Sequence, residues 1–252
     1  MTEVIHPQLP AALAGIAEEI RREGFAFRTG GDMRSLLRDA GSDDWSVFAS
    51  SWQDLGLDLY MADGGRYRRR RFAALNITGD TITRKPHQPH YQSRYYNPLN
   101  GGLQRWFEPV ADAVASHAFT QLILGICASI FGATASAADP LASWHVEMHQ
   151  FRIESVAGTA GRPTPEGAHR DGVDWVCVML VNRRNVSSGV THIYDSQGGA
   201  LRQFTLTNPL DTVFIDDTRV RHGVTPIAAL DASQPAFRDV LILTFRHASA
   251  KG

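Results

Sequence analysis

His169 and Asp171 stand two residues apart, and His222 follows much later in the chain. On an extended strand, residues two apart point to the same side, near enough to share one ion. Two imidazoles and one carboxylate form the facial set that suits non-haem Fe(II) and leaves one side of the ion open. A closed structural zinc site needs a fourth protein ligand, commonly a thiolate. The trio therefore points to reaction chemistry rather than to scaffolding.

A His-x-Asp pair alone is a weak sign in a chain with 10 histidines. Its context strengthens it. Pro165-Glu-Gly167 predicts a turn just before His169, and Gly172 follows Asp171, so the pair lies where a strand meets a turn. Phe214-Ile-Asp-Asp217 reads as an apolar strand ending in carboxylates that can orient a ligating imidazole. His145-Val-Glu147-Met-His149 is a rival triad on one face of a single strand. Its outer two members would lie about 13 Å apart on a straight strand, too far to share an ion without severe bending. His145 and His149 are therefore read as surface groups or as supports around the metal.

The elements that must position these groups follow from periodicity. Leu13, Ile16, Ala17 and Ile20 recur at helical spacing across 10–23, and Gly24 stops that helix. A short strand starts at Phe25, and 32–39 predicts a second helix capped by Asp32. Residues 86–102, with several prolines and tyrosines, predict an irregular loop. The longest helical pattern covers 104–131. Beyond Pro140, strand-length runs at 144–153, 175–181, 190–194, 212–215 and 238–245 alternate with turn-forming clusters. The expectation is a mainly β fold with α, in one domain. A metal-bearing sandwich or barrel at 141–252 would pack against a helical N-terminal layer at 1–140.

Composition narrows the partners. With 25 basic and 26 acidic residues the net charge is −1, so no global attraction to nucleic acid or to anionic membrane is expected. The run Arg66-Tyr-Arg-Arg-Arg-Arg-Phe72 would be split between two faces of a strand. It reads as a solvated edge strand with at most one arginine turned towards a substrate. The longest apolar run, around 122–131, is too short to span a bilayer, and no secretory signal is visible, so a cytoplasmic protein is expected. Cys127 and Cys177 sit in apolar runs that favour buried free thiols.

Several segments together carry a family likeness. They are Pro165-Glu-Gly-Ala-His-Arg-Asp-Gly172, Asn185-Val-Ser-Ser-Gly189, Asp216-Asp-Thr-Arg-Val-Arg-His222 with Val224-Thr-Pro226, and Arg238-Asp-Val-Leu241. His149-Gln-Phe-Arg-Ile153 and Arg68-Arg-Arg-Arg-Phe72 fit the same pattern. From Gly24 onward the chain resembles the bacterial 2-oxoglutarate/Fe(II) dioxygenases typified by L-isoleucine 4-hydroxylase, a family that includes biofilm stress and motility proteins. Ser188-Gly189 departs from it, since two glycines are expected there, and that departure bears on substrate identity. The resemblance implies a double-stranded β-helix, a jelly-roll or cupin-like barrel. It implies Fe(II) on His169, Asp171 and His222, with 2-oxoglutarate as co-substrate and dioxygen as oxidant. The reaction it implies is hydroxylation of a small molecule, a free or substituted aliphatic L-amino acid, with release of succinate and CO2. The alternative is a non-catalytic protein that binds metal or 2-oxoglutarate in stress or biofilm regulation.

The far carboxylate of 2-oxoglutarate needs a cation, because an unpaired buried charge is very costly. Arginine suits it through its planar fork of donors. Arg238 on the last strand is the expected anchor, with Arg246, in phase with it, as the alternative. Arg152 and Gln150, in phase on their own strand, are expected substrate contacts. Trp175 is read as pocket wall or barrel core.

Overall fold

The computed structural model describes residues 9–37, 45–135, 143–155 and 159–248. Its helices are α1 Ala11–Glu23, α2 Gly30–Leu36, α3 Trp45–Ser50, α4 Asp112–Ala115 and α5 Ala118–Thr134. The first strands are β1 Phe25–Arg28, β2 Arg68–Thr78, β3 Thr81–Arg84, β4 His90–Tyr91, β5 Gln104–Arg105 and β6 Ser143–Ser155. Next come β7 Trp175–Arg184, β8 Val186–Ser188, β9 Val190–Tyr194 and β10 Ala200–Thr205. The last are β11 Thr212–Asp216, β12 Arg221–Val224, β13 Ile227–Ala229 and β14 Ala236–His247.

Seven strands form one sheet in the order β1-β11-β7-β14-β6-β2-β3, every pair antiparallel. A second sheet has the order β10-β9-β12. Ile193 of β9 and Val220 just before β12 pack against Phe25, Val176, Val213 and Ile215 of the large sheet. A cavity lies between the sheets, lined by Val176, Val178, Val240 and Ile242 on one side and by His222 and Val224 on the other. The central strands are buried on both faces, which is why β14 reads as an almost unbroken apolar run.

The opposite face of the large sheet carries the helices. Ile16 and Ile20 of α1 and Ile123, Ile130 and Phe131 of α5 share one apolar cluster with Cys177, Met179, Leu241 and Leu243. Gly24 ends α1 at φ +83, and a Cβ there would lie 2.6 Å from Val220 Cγ1, so only glycine fits both the turn and the contact. Both cysteines are buried and free. No helix among the described residues is long and apolar enough to cross a membrane.

Four expectations need correction. The cap of α2 is Thr29: its hydroxyl accepts from the Asp32 amide while the Asp32 carboxylate accepts from the Thr29 amide, a reciprocal pair. Asp39 lies outside the described residues. The pattern over 104–131 is not one helix, because Pro109 forces extended backbone before it, and α5 starts only at Ala118. Trp106, inside that span, is 52% exposed. Residues 1–140 are not a purely helical layer, since β1, β2 and β3 all join the large sheet. Finally, β2 is no edge strand. It lies between β6 and β3, and Arg68 and Arg70 are buried on its cavity side. Arg69 and Arg71, on its other face, reach Glu154 at 3.1 Å and Asp54 at 3.0 Å.

Candidate active site

His169 and His222 face each other across an isolated antiparallel bridge, each backbone amide donating to the other's carbonyl at 2.9 Å. That pairing sets the two rings 4.6 Å apart. Asp171 lies between them, with Oδ1 3.6 Å from His169 Nε2 and Oδ2 3.5 Å from His222 Nε2. One donor atom from each of the three fits within 4.8 Å of the others. His169 Nδ1 lies 3.1 Å from the Gly167 carbonyl. Donating there fixes the tautomer and leaves the Nε2 lone pair free for a metal.

Asp217 holds the loop that carries these donors. Its carboxylate accepts the backbone amides of Asp171 at 2.9 Å, Gly172 at 2.8 Å and Val173 at 3.2 Å. The carboxylates at the end of β11 were expected to orient an imidazole; Asp217 braces the loop instead, and Asp216 accepts from Thr218. Gln92 donates to the Asp171 carbonyl at 3.1 Å, and Asn97 donates to Gln92 at 3.0 Å.

The trio's electrostatics suit a cation. Burial disfavours ionised Asp171, yet the His169 hydrogen bond and the charges of both imidazoles outweigh it and hold the carboxyl well below its usual range. Burial also opposes protonation of His169, but Asp171 and then Glu166 prevail and lift it to about 9. His222 falls to about 4 through burial and the neighbouring His169. Burial, then the Asp171 charge, push Asp217 up to about 7 despite its three amides.

A second group lies in the same cavity. His90 Nδ1 is 3.0 Å from Glu147 Oε2, and His149 Nε2 is 3.7 Å from it. The rival triad was read as too stretched, with His145 and His149 as surface groups or supports around the metal. In the structure His149 lines the pocket, and His90 from β4 completes a cluster that His145 only borders, at 3.6 Å from Glu147 Oε1. Arg70 Nη2 sits 2.6 Å from His149 Nδ1.

The expected arginines divide by strand face. Arg238 lines the cavity at 2% exposure, and its Nε and Nη2 meet no partner among the described residues. Burial and then the nearby Arg183 lower it to about 10. Arg246 lines the same cavity but donates to the Gly172 carbonyl at 3.0 Å. Arg152 and Gln150 point the other way, which corrects their assignment as substrate contacts. Arg152 forms a bidentate pair with Asp239 at 2.7 and 2.8 Å, and Gln150 donates to Ser51 at 2.8 Å. Trp175 is core, not pocket wall: its ring stacks on Phe131 at 5.4 Å.

A family profile described as 2OG-Fe dioxygenase matches residues 49–244. This chain belongs to that family. The family's members are 2-oxoglutarate-dependent oxygenases that use Fe(II), 2-oxoglutarate and dioxygen. This dioxygenase is similar to 3(1)-hydroxy-L-isoleucine 4-dioxygenase of Pantoea ananatis, 26% identical over 91% of this chain and 94% of the relative. It is also 27% identical to L-isoleucine-4-hydroxylase of Bacillus thuringiensis, over 64% of this chain and 67% of that one. Among solved structures, a bsmA homolog of Methylobium petroleophilum aligns with a TM-score of 0.85 at 35% identity, covering 97% of each chain.

The segment that departs from the family pattern now has a geometry. Ser188 has φ 59 and Gly189 φ 73. Arg183 donates to the Ser188 carbonyl at 2.6 Å, so this turn wraps the arginine next to Arg238. The cavity residues that sequence reading missed are His90, Gln92, Asn97 and Arg105 of this dioxygenase. They come from the stretch read as a proline-rich loop and from the strand after it. His90-Tyr91 pairs with Gln104-Arg105 as β4 and β5, a contact between two-residue strands that no periodicity marks in the sequence.

Proposed function

We propose that this dioxygenase hydroxylates a free aliphatic L-amino acid, with Fe(II) on His169, Asp171 and His222. The observation that carries the reading is the Asp171 carboxylate set between two Nε2 atoms in a cavity that also holds Arg238, whose Nε and Nη2 meet no partner among the described residues. The bound iron, with 2-oxoglutarate and dioxygen, supplies the oxidising chemistry. The chain's own residues position and neutralise. Asp171 and the two neutral imidazoles leave about one positive charge on Fe(II), which attracts a chelating oxo acid. Arg238 receives the far carboxylate through a fork whose donors are otherwise unsatisfied, so binding removes a desolvation cost. Asp217 keeps the ligand loop in place through its three amide contacts. The arrangement of a large and a small antiparallel sheet around the cavity is consistent with a double-stranded β-helix. The names of the two isoleucine-oxidising relatives support an aliphatic amino-acid substrate.

To test this, the protein is purified without oxygen, loaded with Fe(II) and assayed for succinate with a panel of aliphatic amino acids. Succinate and hydroxylated amino acid should appear in equal amounts. Tight 2-oxoglutarate binding with no succinate from any panel member would overturn it in favour of a non-catalytic binding protein.

A further inference from the structure

The end of the cavity near β4 and β5 holds charges that iron and 2-oxoglutarate leave unused. Arg105 is 2% exposed, yet its Nε and Nη2 meet no partner among the described residues. Arg70 Cζ lies over the rings of Phe107 and Phe151, 3.7 and 4.3 Å from their centroids, and its Nε also meets no partner among the described residues. Asp58 lies 2.7 Å from Arg68 and 3.8 Å from Arg70, so Arg68 is already neutralised. Buried guanidinium donors without acceptors are strongly unfavourable, which marks a place built for an incoming anion.

The opposite charge stands beside it. Glu147 lines the same cavity, and His90, which donates to it, sits opposite Arg105 in the β4–β5 register. A second metal ion at His90, Glu147 and His149 fits the donor spacing but not the surroundings. Arg70 presses on His149 at 2.6 Å, and Arg105 adds a second positive charge nearby. What suits adjacent anion and cation sites is a molecule carrying both charges on one carbon. An α-amino acid does so.

We propose that Arg105 and Arg70 bind the substrate's carboxylate while Glu147, braced by His90, binds its ammonium, so that the enzyme selects free α-amino acids by both charges. This rests on the amino-acid reading above and adds the residues that enforce it. It also separates the substrate anion from the co-substrate anion: the first meets β2 and β5, the second meets Arg238 on β14.

The test compares the best free amino acid of the panel with its primary amide and with its deaminated acid. Wild type, Arg105→Met and Glu147→Gln are each loaded with iron, and KM values come from succinate release. Wild type should favour the free amino acid over both analogues by about tenfold or more, the size of a charged hydrogen bond. Arg105→Met should raise the amino-acid KM about tenfold to hundredfold and erase the preference over the amide. Glu147→Gln should erase the preference over the deaminated acid. Neither should move the 2-oxoglutarate KM by more than about twofold, a split that general damage to the fold does not produce. Should Arg105→Met not fold, Arg105→Lys keeps the charge without the fork and should lower the same ratio. If wild type hydroxylates amino acids and both preferences survive the substitutions, the proposal is overturned and the hydroxylase reading stands. If iron-loaded wild type releases no succinate with any amino acid, the hydroxylase reading falls and takes the proposal with it.

Discussion

Arg238 and Asp239 are neighbours in the chain but lie on opposite sides of β14, and their surroundings could hardly differ more. On the helix side, Asp239 takes both arms of Arg152, and Trp52 donates to the Phe151 and Val240 carbonyls at 3.2 Å. There Arg152 and Asp239 satisfy each other's charge. On the cavity side, Arg238, Arg105 and Arg70 keep buried donors that meet no partner among the described residues. A charge satisfied by the protein supports the fold, whereas a charge left open is available to a ligand. The same strand does both because alternate residues face opposite ways.

Substitutions on the two faces should therefore separate function from stability. The largest effect is expected from Asp171→Ala, which removes the only carboxylate of the proposed metal trio. Iron content should fall to background with succinate release abolished, while circular dichroism stays unchanged. On the helix side, Arg152→Met leaves Asp239 buried without its partner and should cost about 3–5 kcal/mol. Chemical denaturation measures this, and the 2-oxoglutarate KM should stay put; a raised KM with normal stability would break the comparison. Arg238→Met should do the reverse, raising the 2-oxoglutarate KM roughly hundredfold through loss of a charged, bidentate contact. Arg246→Met should cost far less, since that side chain already serves the Gly172 carbonyl. Asp217→Ala sharpens the picture further, because it touches only backbone. Iron affinity, read by competition with a chelator, should weaken about tenfold to hundredfold. The smallest effect is Ser188→Gly. With φ 59, Ser188 is in the left-handed region, and glycine should stabilise by up to about 1 kcal/mol in thermal unfolding.

The two histidine clusters explain how far the site was legible beforehand. His169-x-Asp171 with a turn on each side was a local signature, and only the distance to His222 had to be closed by folding. His149 and Glu147 were also visible, but the straight-strand argument considered only partners on their own strand. His90 reaches them from another element, so the cluster formed without the bending that argument required. Arg105 was legible only as one residue of a helical pattern that Pro109 in fact interrupts. The arginine run on β2 was misread for a related reason: alternation divided it correctly, but nothing local revealed that β6 covers one edge of the run and the 56–58 segment the other.

Local chemistry thus determined the His169-x-Asp171 pair, the amphipathic helix α1 with its glycine stop, and the main strands of the large sheet. These depend on near-neighbour spacing, which a chain carries whatever it packs against. Only the tertiary structure decided that Arg238 would face the cavity and Arg152 the helices. A period of two says which residues share a side, but the side that meets the ligand is set by what packs on the other.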